Sequence, residues 1–511
     1  VGIGRWMVLY SPRLLIVAAL ASFCANWQFA FQITYVNTSA RTFHKLASRA
    51  YQTSHGSDLS LSADEWSSQW STIVSAFYPG SIVGFLLMPI MVTRLGTKLS
   101  MGILSLPSIL GCALQLLAAL PSAGVVLLDI ALCGGRFLVG IQAGAALCFL
   151  PLFLIEISNP ASRSLLSTFQ QVSQAVGTLL GLLFGSETLF PLGAYRFEWL
   201  QLIAAIPSLL LIILLSVTPP TPHYLMHEGV EVTRVLDSLK YYQGSSADLL
   251  SLQNDYTSHA MKGAPRSKIP FASWKGFAIG SLAAISYSFT ADDLIDTFSS
   301  TILHGAQGED PSNGYNPDID HSSDLMSLGL GVVLVLSSLM GSFLVDRFGR
   351  RPLIILGLIC TALFNFIASF FLSSLPSVVL LFFALTKASI GLGAGAPAWF
   401  LTSELVALPY VPLFQSLSTG LLLCSSMIVT FFYLPLSLVS PPLSLLLLSS
   451  IPSLILAILL FLFLPETKGK SPRDIELKLA SRTLSGFKSK VDEIGRNGFT
   501  NYGTLRDTEY L

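Results

Sequence analysis

Three aspartates, Asp292, Asp293 and Asp296, stand close together inside an otherwise apolar run. Asp292 and Asp296 are four residues apart and share one face of a helix. Three carboxylates at membrane depth repel one another, so at least one must be protonated or paired. Lys387, an unusual cation inside a second apolar run, is the natural partner, and a Lys387–Asp pair is expected to join the two runs. If the run begins or ends elsewhere, the acids instead line a solvated vestibule, and the sequence weighs the two equally. Other chemistry is missing. No GxxxxGK[ST] loop occurs, and no nucleophile has a matching base. The triplet at His227 to Gly229 is too short for a zinc motif. The six cysteines all lie in apolar runs without a CxxC pair and read as small buried hydrophobes. An enzyme, an ATP-driven pump, a metal and a cofactor are therefore not expected.

Membrane helices must position these residues. Of 511 residues 52% are hydrophobic and 11% charged, against about 25% charged in soluble domains. Formal net charge is zero, so no basic face suggests nucleic acid. Apolar runs near the length of about 20 residues that crosses a bilayer recur along the chain. Candidate spans are 14–36, 71–92, 101–120, 125–155, 165–184 and 199–217, then 277–303, 326–345, 353–372, 378–401, 412–434 and 443–464. The expectation is an all-α membrane protein in four parts: a six-helix bundle over 1–217, a linker with short helices over 218–273, a second bundle over 274–466 and a tail over 467–511. Basic turns at Arg94 and Lys98, at Arg163, and at Arg347, Arg350 and Arg351 place those turns, the linker and both termini in the cytoplasm by the positive-inside rule. The loop 41–65 carries basic residues on the opposite side but is long, where charge counts less. A formal glycosylation sequon at Asn37 lies almost at the membrane surface and is not expected to be used.

Charge at a helix end is costly unless paired. Arg136, Glu156 and Arg163 in the first half, and Asp346, Arg350, Arg351, Glu404 and Glu466 in the second, can form two ion-pair clusters. Such clusters hold helix ends in one conformation and release them in another. Gly393, Gly395 and Pro397 can break the tenth helix, because glycine relaxes the chain and proline removes a donor. A broken backbone at that depth must line a cavity, which favours a moving gate. "TRLGTKLSM" after the second span and "VDRFGRRPL" after the eighth occupy equivalent places, as an internal duplication would.

These stretches carry a family resemblance. "VDRFGRRP" (345–352), "GRFLVG" (135–140) with "PLFLIEISNPASR" (151–163), "GAGAPAWF" (393–400), "PETKGK" (465–470) and "WQFAFQ" (27–32) resemble, in order and spacing, the sugar-porter branch of the major facilitator superfamily. Within it the chain is similar to the facilitative hexose transporters of solute carrier family 2, nearest the fructose-transporter-like class. The resemblance implies two six-helix bundles related by pseudo-symmetry. It also implies a plasma-membrane carrier that moves a hexose such as glucose or fructose by alternating access. The charged clusters become latches of the outward-facing state, and Gln28, Gln171 and Trp399 become substrate contacts.

Helix seven departs from the family. "YSFTADD" (287–293) stands for "QQLSGIN", so Tyr287 and Ser288 replace two amides and Asp293 replaces an asparagine. Pro220 and His223 occupy the Glu and Arg places of "PESPR". Proton-coupled relatives carry an acid on helix one near the fourth-helix arginine, whereas no acid lies within 14–36. That implies uniport, while the helix-seven acids leave a proton-coupled carrier as the alternative. A non-transporting sensor is a third possibility, though the tail from Gly469 shows no domain pattern.

Overall fold

The computed structural model describes residues 11–56, 61–158, 162–244, 269–306, 317–372, 375–407, 410–470 and 472–481. Among them there is no strand, and nine helices are long and apolar enough to cross a membrane. One of the nine, Thr72–Ala119, reverses at Gly96 and supplies two crossings. With Arg163–Gly185 and a helix in two pieces over 271–306, twelve crossings result.

We number them α1 (Pro12–Thr38), α2 (77–95), α3 (97–119), α4 (Val125–Ile157), α5 (Arg163–Gly185) and α6 (Arg196–Val217). The second half holds α7 (Phe271–Ser288 and Asp292–Ala306), α8 (Pro317–Phe348), α9 (Arg350–Phe371), α10 (Pro376–Leu405), α11 (Val411–Val439) and α12 (Pro441–Phe463). The 41–65 loop is largely helical, in Ala40–His55 and Ala63–Ser75, and the linker holds Pro222–His227 and Val232–Gln243.

The pattern of exposure is the inverse of a soluble protein's. Large apolar side chains such as Leu110, Ile130, Ile213, Met340, Phe343 and Ile455 face outward, while Gln28, Gln142, Asn365 and Lys387 are buried. Only a hydrocarbon surround makes that arrangement favourable. Within the first half α1 packs on α5 and α2 on α4; within the second, α7 packs on α10 and α11. The halves meet through α5 against α8 and α2 against α11. Exchanging the halves maps one of these pairs onto the other, which is the signature of a pseudo-two-fold. The duplicated turns agree: Gly96 (φ +74°) and Gly349 (φ +93°) both take the left-handed conformation that favours glycine.

Two helices differ from their expected form. The tenth helix is not broken at Gly393, Gly395 and Pro397. It continues through a π-helical turn, Ile390–Ala394, into Gly395–Leu405. A single extra residue widens the helix there without releasing its backbone. The break falls on α7 instead, between Ser288 and Asp292, with Ala291 at φ +71°. The freed carbonyls are met by side chains. Ser449 and Ser453 of α12 donate to the Phe289 carbonyl at 2.7 and 2.8 Å, and Asn365 Nδ2 of α9 donates to that of Thr290 at 3.0 Å. Thr386 of α10 holds the Asn365 carbonyl oxygen at 2.9 Å. An interrupted helix is tolerable at membrane depth only with such replacements.

Candidate functional site

The halves touch through side chains midway along their helices. Trp399 of α10 donates its indole N–H to Gln171 Oε1 of α5 at 2.7 Å. Around this bond lie aromatic rings: Tyr287 at 4.7 Å from Trp399, and Phe29 of α1 edge-on at 6.1 Å. Gly395 lies against Gln171, and a Cβ there would come within 2.7 Å of its amide, which would have to move from its present place. Gln171 Nε2 goes unused at this place, and on the same helix both amide atoms of Gln170 and Gln174 Oε1 are likewise buried without a hydrogen-bond partner. Amide donors and acceptors beside aromatic faces are what a polyhydroxylated ring requires.

Behind the rings sits the ion cluster. Lys387 Nζ lies 2.6 Å from Asp292 Oδ1 and 2.7 Å from Asp296 Oδ1, so the expected pair forms and includes two carboxylates. Tyr287 donates its hydroxyl to Asp292 Oδ2. Asp293 is buried too, and its Oδ2 has no hydrogen-bond partner. Ser288 donates to the Leu422 carbonyl of α11 at 2.9 Å and accepts from Ser426.

Two residues lie away from their expected surroundings. Gln28 points into the first bundle, where its amide donates to the Ala204 carbonyl at 2.7 Å and to Ser208 at 3.0 Å, both on α6. There it works as a helix-packing amide, in a network with Ser108 and Gln142. Arg136 does not belong to the helix-end cluster. It is twenty residues from Glu156 on one helix, which is about 30 Å. Its guanidinium contacts Gln32 Oε1 at 3.4 Å, the Val74 carbonyl at 3.4 Å and the Phe77 ring at 5.7 Å. Fourth-helix charge and first-helix amide face each other, a pairing visible in the sequence only as the lack of an acid on α1.

At the face bearing the basic turns, the second half forms its cluster. Arg350 pairs with Glu404 at 2.8 Å, and Thr467 donates to the other Glu404 oxygen at 2.7 Å. Glu466 accepts the backbone N–H groups of Arg350 and Arg351, both at 3.1 Å, as an anion on the first turn of α9. Arg351 turns to the Phe461 carbonyl at 2.7 Å. In the first half Glu156 is held by the hydroxyls of Thr97 (2.6 Å) and Thr221 (2.7 Å), and His223 contacts its carbonyl at 3.0 Å. Hydroxyls therefore stand where ion pairs were expected. None of these contacts joins one half to the other: the second cluster stays within its half, and Glu156 is held from its own half and the linker. Arg163 begins α5 and Asp346 lies near the end of α8, but their side chains fall outside the described residues.

On the opposite face the halves are joined by Asn37 Nδ2 to the Asp296 carbonyl (3.0 Å) and by Ser186 to Asp324 (2.5 Å). The sequon asparagine is thus engaged inside the fold. Nearby, Thr42 and Lys45 donate to Glu187 at 2.7 and 3.2 Å. Burial alone would raise the Glu187 carboxyl, but these bonds and the charges of Lys45 and Arg196 outweigh it and hold the group below its usual range.

A twelve-helix bundle of two pseudo-symmetric halves meeting at a central polar site defines a membrane transporter of the major facilitator fold. The profile of the "Sugar (and other) transporter" family matches residues 14–479, and the chain belongs to that family. It is 24% identical over 500 residues to facilitated glucose transporter protein 1 of Caenorhabditis elegans, covering 92% of this chain and 91% of that one. It is 24% identical over 447 residues to facilitated glucose transporter member 3 of solute carrier family 2 from Rattus norvegicus, covering 83% and 85%. In fold it matches the xylose transporter XylE. A double-tryptophan mutant gives a TM-score of 0.78 at 18% identity over 91% of this chain and 99% of the other. The proton:xylose symporter bound to 6-bromo-6-deoxy-D-glucose gives 0.75 at 18% over 92% and 100%.

Proposed function

We propose that this sugar transporter is a facilitative hexose carrier, moving glucose or fructose down its gradient by alternating access. Its place would be the plasma membrane, with both termini in the cytoplasm. The observation that carries the reading is the Gln171–Trp399 contact. An amide from one half and an indole from the other meet where the family resemblance implies sugar contacts, with the Gln171 amide nitrogen left unused. A hexose entering there would exchange one cross-half hydrogen bond for several of its own. The glucose-transporter relatives support the hexose class. Uniport is supported by Arg136, which faces Gln32 and not a carboxylate on α1.

A second reading, proton-coupled transport, is favoured by Asp293, a buried carboxylate with an unpartnered oxygen. Labelled glucose and fructose uptake into cells lacking their own hexose transporters, with and without a proton uncoupler, separates the readings. Saturable uptake that ignores the uncoupler is expected. Uptake abolished by it transfers the case to the helix-seven acids. No uptake of either sugar, with the chain at the surface, refutes the hexose reading.

A further inference from the structure

Tyr287 stands in place of an amide at the site, and it is held from behind. Lys387, wholly buried, makes three contacts: two to Asp292, at Oδ1 (2.6 Å) and at the backbone carbonyl (3.2 Å), and one to Asp296 Oδ1 (2.7 Å). The second Asp292 oxygen takes the Tyr287 hydroxyl. The Tyr287 ring lies 4.7 Å from Trp399, and Trp399 donates to Gln171. A continuous line of side-chain contacts therefore runs from a buried cation on α10, through the break in α7, to the contact between the halves.

The two acids bonded to Lys387 are not equivalent in this line. The Asp292 carboxylate touches both the cation and Tyr287, whereas the Asp296 carboxylate bonds to the cation and not to Tyr287. With its hydrogen committed to Asp292, the Tyr287 oxygen can only accept. Charge on Asp292 makes that commitment stronger than a neutral hydrogen bond. The bond to Asp292 thus anchors the Tyr287 ring, whose face lies 4.7 Å from Trp399, through groups that never reach the cargo.

We propose that Lys387 and Asp292 are positioning residues for sugar binding, fixing the Tyr287 ring against Trp399 at the contact between the halves, where the hexose would sit. This rests on the hexose-carrier reading.

The test compares Asp292→Asn, Asp296→Asn, Lys387→Arg and Tyr287→Phe in the full chain. Uptake of labelled glucose is resolved into KM and Vmax per surface copy. Asp292→Asn and Tyr287→Phe are expected to raise KM about 5- to 10-fold, the worth of one net hydrogen bond, with Vmax changed less than about 2-fold. Lys387→Arg keeps the charge but displaces the donor that holds Asp292, and is expected to raise KM in the same direction as Asp292→Asn, whereas Asp296→Asn raises KM less than about 2-fold. Equal effects of Asp292→Asn and Asp296→Asn, or losses confined to Vmax and surface amount, would mean a merely structural ion pair and overturn the proposal. A second readout needs no cargo: Trp399 emission, taken as the difference from the same protein carrying Trp399→Phe. Asp292→Asn is expected to shift it and Asp296→Asn to leave it. If wild type fails to move glucose, the hexose reading falls, and the emission comparison still decides whether Asp292 acts through Tyr287 on Trp399.

Discussion

Trp399 and Gln171 join the two halves of the protein by one hydrogen bond of 2.7 Å, from an indole N–H on α10 to an amide oxygen on α5. Both groups are buried, so neither can be left unpaired cheaply. Any movement of one half relative to the other must break this bond or replace it. A bound sugar can replace it, since its hydroxyls accept from the indole and donate to the amide.

Gln171→Leu should therefore hurt twice, by stranding the Trp399 N–H and by removing a sugar contact. Uptake of labelled glucose, corrected for surface amount, should fall about 10- to 100-fold in Vmax/KM. Uptake equal to wild type would take Gln171 out of the substrate path.

Lys387 bridges two buried carboxylates. Lys387→Met leaves them uncompensated and should destabilise the protein by about 3–5 kcal/mol. Adding Asp292→Asn and Asp296→Asn to that variant should recover most of the loss, because a neutral cluster needs no cation. Thermal unfolding of the purified chain measures both. Unchanged melting in Lys387→Met would show that the cation is not holding these acids in the folded protein.

Glu187 gives a pH dependence with a definite sign. Its carboxyl is held below the ordinary range, so its contribution to stability is complete above the unfolded value of about 4.3 and is lost as pH falls through the folded value. Lys45 is 65% exposed, which screens the pair and keeps the effect small. Melting temperature followed downward from pH 5 should decline slightly less steeply in Glu187→Gln than in wild type. A steeper decline in the variant contradicts the sign.

Ala291 holds the left-handed conformation at the break in α7, which costs a residue with a Cβ about 1–2 kcal/mol. Ala291→Gly should be tolerated or mildly stabilising. Ala291→Val, with a branched Cβ and no room at 0% exposure, should lower surface amount and melting temperature sharply. Equal behaviour of the two variants would argue against the break.

Much of this protein could be read along the chain. Apolar runs of bilayer length gave its helices, because hydrocarbon demands both that length and that composition. The charge pattern of Lys387, Asp292 and Asp296 pointed to their pairing, because a buried ion has few other outcomes. The place of the α7 break was not legible. Ala291 carries no helix-breaking signal, and the groups that satisfy the break, Asn365, Ser449 and Ser453, come from α9 and α12. Conversely, glycine and proline in α10 signalled a break, but a π turn absorbed them. The orientation of Gln28 was equally out of reach, since a fraction of a turn of α1 about its axis separates facing α6 from facing the centre.

Sequence by itself determined the class of the molecule, its twelve membrane helices and its duplicated halves, while it left a lysine paired with aspartates level with a solvated vestibule. These follow from short-range rules, namely helix length, the cost of charge in lipid and a repeated glycine turn. Tertiary structure alone decided which amide meets which ring, that Glu466 takes backbone N–H groups in place of an arginine, and that Arg136 faces Gln32 far from the helix-end cluster. Those choices depend on the rotation and register of helices hundreds of residues apart, and a side chain with several possible partners is committed only when the helices have packed.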